Sequence, residues 1–423
     1  MTDRSSLRSF SRPVQVLVLN QFGVNLGFYL LLPFLAAYLT DSIGLTLAAV
    51  GLVLGARNLA QQGLFLVGGV CADRIGSRPM ILVGCLLRVV GFGMFALTED
   101  LWGLLAAAVL SGVAGALFNP AVRSYVATAS QGRTAEAFAW FALAGNAGMF
   151  VGPVLGALLL LVDFRMVAGV AAGVFAVLTI AQAIWLPAQS GDRPVPERGG
   201  MVGLLRNGRF WLFALAGSAL FALQNQLYLM FPREADPLLG GNAGTVSVFV
   251  VSTVVAVACQ RPLTRYAMAR WQARRSIAVG YAVMGIGMLA PAATAAAGPA
   301  VRLTVILLAA AVLGLGVVIA QPFMLERIAQ HASPGMTGTY YGAFYLLSGV
   351  IAAASGAGIG ALLERSAPLS WLACGIAALA AAALSLSPST APRAPHPSDP
   401  TPASHTTDRN QGPSKPSERS IPR

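Results

Sequence analysis

The sequence predicts an all-α integral membrane protein of twelve transmembrane helices, arranged as two six-helix bundles related by a pseudo-twofold axis. Three observations predict it: an apolar composition, a succession of evenly sized hydrophobic runs, and a repeat between the two halves. Of 423 residues, 56% are hydrophobic and 10% charged. That leaves too little polar surface to cover a soluble globule, so lipid must be the solvent. Crossing a bilayer core takes about 20 apolar residues per helix. Runs of that order fall at 14–38, 46–71, 80–97, 101–126, 136–161, 166–186, 210–231, 245–262, 277–296, 303–329, 338–363 and 369–386. Gly and Pro interrupt many of them, as membrane helices tolerate where neighbours satisfy the released backbone groups. The alternating pattern of a membrane barrel is absent.

The repeat links the fourth run to the tenth and the fifth to the eleventh. Gly112, Gly115 and Asn119-Pro120 have counterparts in Gly314, Gly316 and Gln321-Pro322, offset by about 202 residues. Gly152, Gly156 and Ala157-Leu158-Leu159 line up with Gly356, Gly360 and Ala361-Leu362-Leu363 at an offset of 204. Repeated bundles suit transport, because rocking one against the other exposes a midplane site to alternate sides.

The chain therefore divides into a cytoplasmic N-terminus (1–13), a first bundle (14–186), a cytoplasmic linker (187–209), a second bundle (210–386) and a tail (387–423). The linker holds the longest polar interruption between runs, with Pro194, Pro196, Gly199 and Gly200 among its arginines. The tail is rich in Pro, Ser, Thr and charge, and is expected to be disordered.

The formal charge is +12. In a soluble chain that would suggest nucleic acid, but here the arginines cluster between apolar runs and report orientation. One set of loops holds Arg165, Arg233, Arg302 and Arg365; the other holds Arg74, Arg78, Arg133, Arg206, Arg209, Arg261, Arg265, Arg270, Arg274, Arg275 and more. The richer set belongs inside, with both termini. The first run is longer than a signal-peptide core and reads as a retained signal anchor. Cys71, Cys85, Cys259 and Cys374 are scattered in or beside apolar runs and read as small buried residues.

Several motifs carry chemistry. Between the second and third runs stand Gly69, Asp73, Arg74, Gly76 and Arg78. This segment resembles the G-x-x-x-D-R-x-G-[RK] signature of the major facilitator superfamily. Gly69 allows close helix approach, Gly76 a tight turn, and Asp73 a bond to the positive start of a helix from the other half. Arg74 and Arg78 are expected to join Arg123 in a charge relay, or to serve only orientation. The fifth run contains Gly148, Gly152, Pro153 and Gly156. It resembles the G-x-x-x-G-P-x-x-G signature of the drug and proton antiporter branch, as in bacterial multidrug efflux permeases.

The resemblance implies the major facilitator fold, a monomer in the bacterial cytoplasmic membrane, and export of drugs or amphipathic small molecules by alternating access, coupled to protons. It also implies a cavity built from runs one, two, four, five, seven, eight, ten and eleven. Polar and aromatic residues on those runs are the candidate lining: Gln21, Asn25, Tyr29, Arg57, Gln61, Asn119, Asn146, Gln224, Tyr228, Gln321, Tyr341 and Tyr345. Gln21, Asn25 and Tyr29 recur every four residues and share one helix side. Such groups suit an amphipathic solute, and they also serve as ordinary bonds between helices. Arg57 lies inside a span, where a charge costs about 2.5–3.5 kcal/mol and needs a partner, whether solute or neighbour.

One departure concerns coupling. The antiporter branch usually carries a carboxylate in run one or four, where this sequence has Asn20, Gln21, Asn25 and Asn119. Amides do not titrate near neutral pH. Glu326, about one turn beyond Pro322, is the candidate coupling group; its alternative is pairing with Arg327 or Arg123. The other readings are a nutrient carrier for sugar or amino acid, a facilitative uniporter, and a membrane sensor. An enzyme is disfavoured: His331 is the only histidine before the tail, and no second metal ligand stands near it. No phosphate-binding loop is present, so ATP does not drive the protein directly, and no metal or cofactor is expected.

Overall fold

Each apolar run is a helix, and short capped turns reverse the chain between them. The computed structural model describes residues 7–187, 200–240 and 243–388. The helices of the first half are α1 (Arg12–Ala37), α2 (Leu47–Arg74), α3 (Ser77–Leu97), α4 (Leu101–Ala129), α5 (Thr134–Leu160) and α6 (Phe164–Trp185). A short α7 (Gly200–Arg206) follows. The second half holds α8 (Gly208–Leu239), α9 (Ala243–Arg270), α10 (Ala273–Ala293), α11 (Pro299–His331), α12 (Thr337–Arg365) and α13 (Ala367–Leu386). Among the described residues no strand occurs.

The turns show why they stop where they do. Thr46, Asp100 and Asn207 each accept a backbone N–H from the first turn of the helix that follows, at 3.3, 2.9 and 3.1 Å. Gly76 sits at φ 115°, a conformation open to glycine, which lets α2 and α3 join through a single turn. Helices outrun the apolar spans where polar residues continue them: α8 reaches Leu239 and α9 reaches Arg270. Hydropathy reports the lipid boundary, whereas the helix ends only where its backbone is capped.

Among the described residues, eleven helices are long and apolar enough to cross a membrane. The remaining long helix, α2, is interrupted by Arg57, Asn58, Gln61 and Gln62. Within the 187–209 segment, α7 packs through buried Leu204, whose carbonyl accepts the Trp211 indole N–H at 3.0 Å. Residues 188–199, the first six residues and the tail from 389 onward lie outside the described residues.

The two halves repeat one packing scheme. In the first, α1 packs on α5 and α6, α4 on α2 and α3, and α3 on α6; in the second, α8 packs on α12 and α13, α11 on α9 and α10, and α10 on α13. The repeat extends to single glycines. A Cβ on Gly84 of α3 would crowd Phe118 and Ala114 of α4, and one on Gly280 of α10 would crowd Ala320 and Gly316 of α11. The halves meet along two seams that exchange under the same symmetry, α2 with α12 and α5 with α9.

Candidate substrate cavity

The cavity begins from a polar stripe on α2. Arg57, Asn58 and Gln61 fall at i, i+1 and i+4, and the guanidinium donates to the Asn58 and Gln61 side-chain oxygens at 2.9 and 3.0 Å. Its carbon lies 4.6 Å from the Phe28 ring centroid. Arg57 is buried, and its Nε has no hydrogen-bond partner. On α1, Asn25 donates to the Gly145 carbonyl of α5 at 2.9 Å and accepts from Gln21 at 3.2 Å. One turn on, Tyr29 comes near Tyr228 of α8 across the two halves, and both line the cavity.

These side chains open onto a central cavity of about 610 Å³ between the halves. Its wall takes Asn25, Tyr29, Arg57, Gln61, Asn119 and Asn146 from the first half, and Gln224, Tyr228, Gln321 and Tyr345 from the second. The contributing helices are α1, α2, α4, α5, α8, α9, α11 and α12. A larger recess of about 890 Å³, lined by Tyr38, Glu99, Asp163 and Arg165 among others, draws only on the first half and does not reach the seams.

Two expected lining residues stand elsewhere. Gln21 is covered by the Gly145 turn of α5 and acts behind Asn25. Tyr341 is fully buried, its hydroxyl donating to the Leu325 carbonyl at 2.7 Å, because α12 at that level is already packed among the other helices. Arg123 does reach the wall: it donates to the Asn119 backbone and side-chain oxygens at 3.0 and 3.1 Å and lies 4.6 Å from the Tyr345 ring centroid.

The end of the bundle where α1 and α12 begin is closed. Asp73, in the last turn of α2, accepts the Gly338 and Thr339 backbone N–H groups at 2.7 and 2.6 Å and the Thr339 hydroxyl at 2.6 Å. Those N–H groups belong to the first turn of α12, so the carboxylate caps a helix of the opposite half. Gly69 faces the Gly338 backbone with no room for a Cβ, and Gly342 faces the Phe65 backbone in the same way.

The arginines of this region do not form a relay. Arg74 is exposed, Arg78 donates to the Ala183 carbonyl of α6 at 2.8 Å, and Arg123 faces the cavity. Within the G-D-R-G motif, Gly69 and Asp73 face α12 of the other half while Arg78 turns to α6, and no bond joins either loop arginine to Arg123 among the described residues.

On α5 the glycine series is a packing surface. A Cβ on Gly152 would lie 2.9 Å from the Tyr29 Cβ and 3.0 Å from the Leu26 carbonyl oxygen, while Gly148 and Gly156 face the Phe22 and Leu30 carbonyls. The α1 backbone thus lies directly on α5, with Pro153 inside the helix between them. Glu326 is half-buried on α11, outside the cavity wall, and no hydrogen bond or ion pair to it occurs among the described residues.

The Major Facilitator Superfamily profile matches residues 17–357. The chain belongs to that superfamily. Among relatives of this major facilitator transporter, an MFS-type transporter of Mycobacterium tuberculosis (strain H37Rv) is 38% identical over 374 residues, covering 86% of this chain and 89% of the relative. The multidrug resistance protein MdtH of Aeromonas hydrophila is 32% identical over 368 residues, covering 85% and 91%. Two solved structures share the fold. The human organic anion transporter MFSD10 (TETRAN) has TM-score 0.69 at 17% identity, covering 88% of this chain and 99% of that one. The E. coli fucose:proton symporter FucP has TM-score 0.70 at 13% identity, covering 88% and 97%. At those identities the likeness speaks for the fold alone.

This facilitator's wall also contains residues that sequence reasoning passed over. Gln62, Asn225, Ser252, Thr253, Gln260 and Ser348 all line it. A signal was available on α9, where Ser252, Ala256 and Gln260 recur every four residues as a small and polar stripe. No carboxylate lines the cavity among the described residues.

Proposed function

We propose that this superfamily member is a secondary active transporter that exports drugs or amphipathic small molecules across the bacterial cytoplasmic membrane by alternating access. The observation that carries the reading is the central cavity: one space, lined by eight helices of both halves and closed at one end by Asp73 on the start of α12. The arginine bias assigns that end to the cytoplasm, so the latched arrangement is the outward-facing one. Rocking the halves about the α2/α12 and α5/α9 seams would break the latch and turn the cavity inward. The likeness to multidrug resistance proteins supports drugs as the cargo.

Coupling to protons is assigned to Glu326, a half-buried carboxyl on the helix that supplies Gln321 to the wall. Facilitative uniport is the second reading, and the wall without carboxylates favours it, since amides carry no proton. The deciding experiment is a susceptibility screen of an efflux-deficient bacterial host expressing the chain, followed by uptake of the protected compounds into everted membrane vesicles. Export predicts protection and accumulation inside everted vesicles. Protection against no compound would turn the reading to nutrient uptake or sensing.

A further inference from the structure

The cavity wall carries two cations and no anion. Arg57 and Arg123 both line it, and no Asp or Glu does among the described residues. Their side-chain partners are uncharged: Asn58 and Gln61 for Arg57, Asn119 for Arg123. Aromatic faces supply the rest, Phe28 under Arg57 and Tyr345 under Arg123. Each guanidinium also keeps a buried Nε with no hydrogen-bond partner.

A charge behind the wall adds to the imbalance. Arg88 of α3 is buried against Phe118 and Phe175, and it acts electrostatically on both Arg57 and Arg123. Arg88 thus couples the buried Arg57 to the half-buried Arg123, like charge to like charge. A buried charge normally has a paired counter-charge, and leaving one unpaired is costly. The cavity beside Arg57 and Arg123 is open to such a counter-charge.

We propose that the cavity is a site for an amphipathic organic anion, its acidic group held by Arg57 and Arg123. The inference rests on the transporter reading above and adds the substrate class. Carboxylate, sulfonate and phosphate monoester groups all match the planar donor face of a guanidinium. The apolar body lies against Phe65, Phe221, Phe249 and Met149 on the same wall. A cationic solute meets the repulsion of both arginines. An inside-negative membrane potential favours the exit of an anion, so such a cavity works without a proton carrier in its wall.

The test uses the purified full chain in lipid nanodiscs and one aromatic body with different head groups: naphthalene carboxylate, sulfonate and phosphate monoester, the carboxamide, and naphthylmethyl trimethylammonium. Binding is read by thermal stabilisation and by titration. The anions are expected to bind in preference to the amide and the ammonium. Arg57→Gln and Arg123→Gln should each weaken anion binding by about tenfold or more. Arg57→Lys, which keeps the charge, should retain more of it than Arg57→Gln, and Arg123→Gln stands alone if the Arg57 variants do not fold.

Binding confined to the ammonium, equal binding of amide and anions, no binding of any anion, or anion binding unchanged in the Gln variants would overturn the proposal. Direction is read separately in vesicles of known sidedness. Accumulation of the bound anion in right-side-out vesicles alone would remove the export reading and leave the substrate class standing.

Discussion

Asp73 Oδ2 receives both the backbone N–H and the hydroxyl of Thr339, each at 2.6 Å, so that the last turn of α2 is bonded to the first turn of α12 in the other half. Its second oxygen takes the Gly338 N–H at 2.7 Å. The bond set is charge-assisted and placed at a helix N-terminus, where negative charge is favoured. Because the partners lie in different halves, the same bonds that cap α12 also hold one end of the cavity shut.

Asp73→Asn keeps the shape but replaces one acceptor with a donor that faces N–H groups. Hydrogen bonds to a charged group contribute about 1.5–3 kcal/mol, a factor of roughly ten to a hundred in the latched population. Spin labels placed on the starts of α3 and α12 should show a second, longer distance in the variant. A distance distribution identical to that of the native chain would refute the latch.

Gly152→Ala and Gly173→Ala should have opposite signs. At Gly152 a Cβ would lie 2.9 Å from the Tyr29 Cβ and 3.0 Å from the Leu26 carbonyl, so α1 must move off α5, at a cost of about 1–3 kcal/mol. At Gly173 on α6 a Cβ meets nothing within 4 Å, and alanine should stabilise by roughly 0.5–1 kcal/mol. Unfolding in detergent compares the two, and a stabilised Gly152 variant would contradict the packing argument.

The twelve long helices, their two-half arrangement and most of the cavity wall were legible because lipid imposes a length on each helix and the repeat maps one half on the other. Ten of the twelve proposed lining residues reach the cavity because polar side chains on a membrane helix turn away from lipid. Spacing alone did not separate Tyr341 from Tyr345. Both occupy one side of α12, but depth along the helix decides whether that side faces space or a neighbour, and depth is a tertiary property. Arg123 was misassigned for a related reason. Its position near the end of α4 suggested the loop arginines as neighbours, whereas the helix turns it toward Tyr345.

Arg88→Met should be nearly neutral. Arg88 is buried between Phe118 and Phe175, at 4.5 and 5.5 Å from their ring centroids, and one terminal nitrogen lacks a hydrogen-bond partner. The corresponding place on α10 holds Met284, packed against Gly316 as Arg88 is packed on α4. Replacing a buried charge with an apolar group of similar size is often neutral or stabilising. Thermal unfolding should shift by no more than the equivalent of about 1 kcal/mol. A collapse of folding would show that the Arg88 charge is itself required.

Glu326→Gln separates the two coupling readings. If the half-buried carboxyl carries the proton, the variant should lose the response of transport to an imposed pH gradient while still exchanging substrate down its own gradient. Vesicle flux at matched membrane potential, with and without the pH gradient, makes the comparison. An undiminished response in the variant would end the role of Glu326 and place coupling on another group, whereas no response in the native chain would leave uniport as the reading.

Tyr228→Phe is expected to act against Asp73→Asn. Tyr29 of α1 and Tyr228 of α8 come near one another toward the end of the cavity away from Asp73, placed so that their hydroxyls can bond when that end closes. A neutral hydrogen bond contributes about 0.5–1.5 kcal/mol, which corresponds to roughly a two- to twelvefold change in an opening equilibrium. Thr253 lines the cavity and gives a reporter position once the native cysteines are replaced. A membrane-impermeant maleimide added from outside should label Thr253→Cys faster in the Tyr228→Phe background and more slowly in the Asp73→Asn background. Equal rates in both would mean that the two joins do not compete for one rocking motion, and the alternating-access reading would lose its two closures.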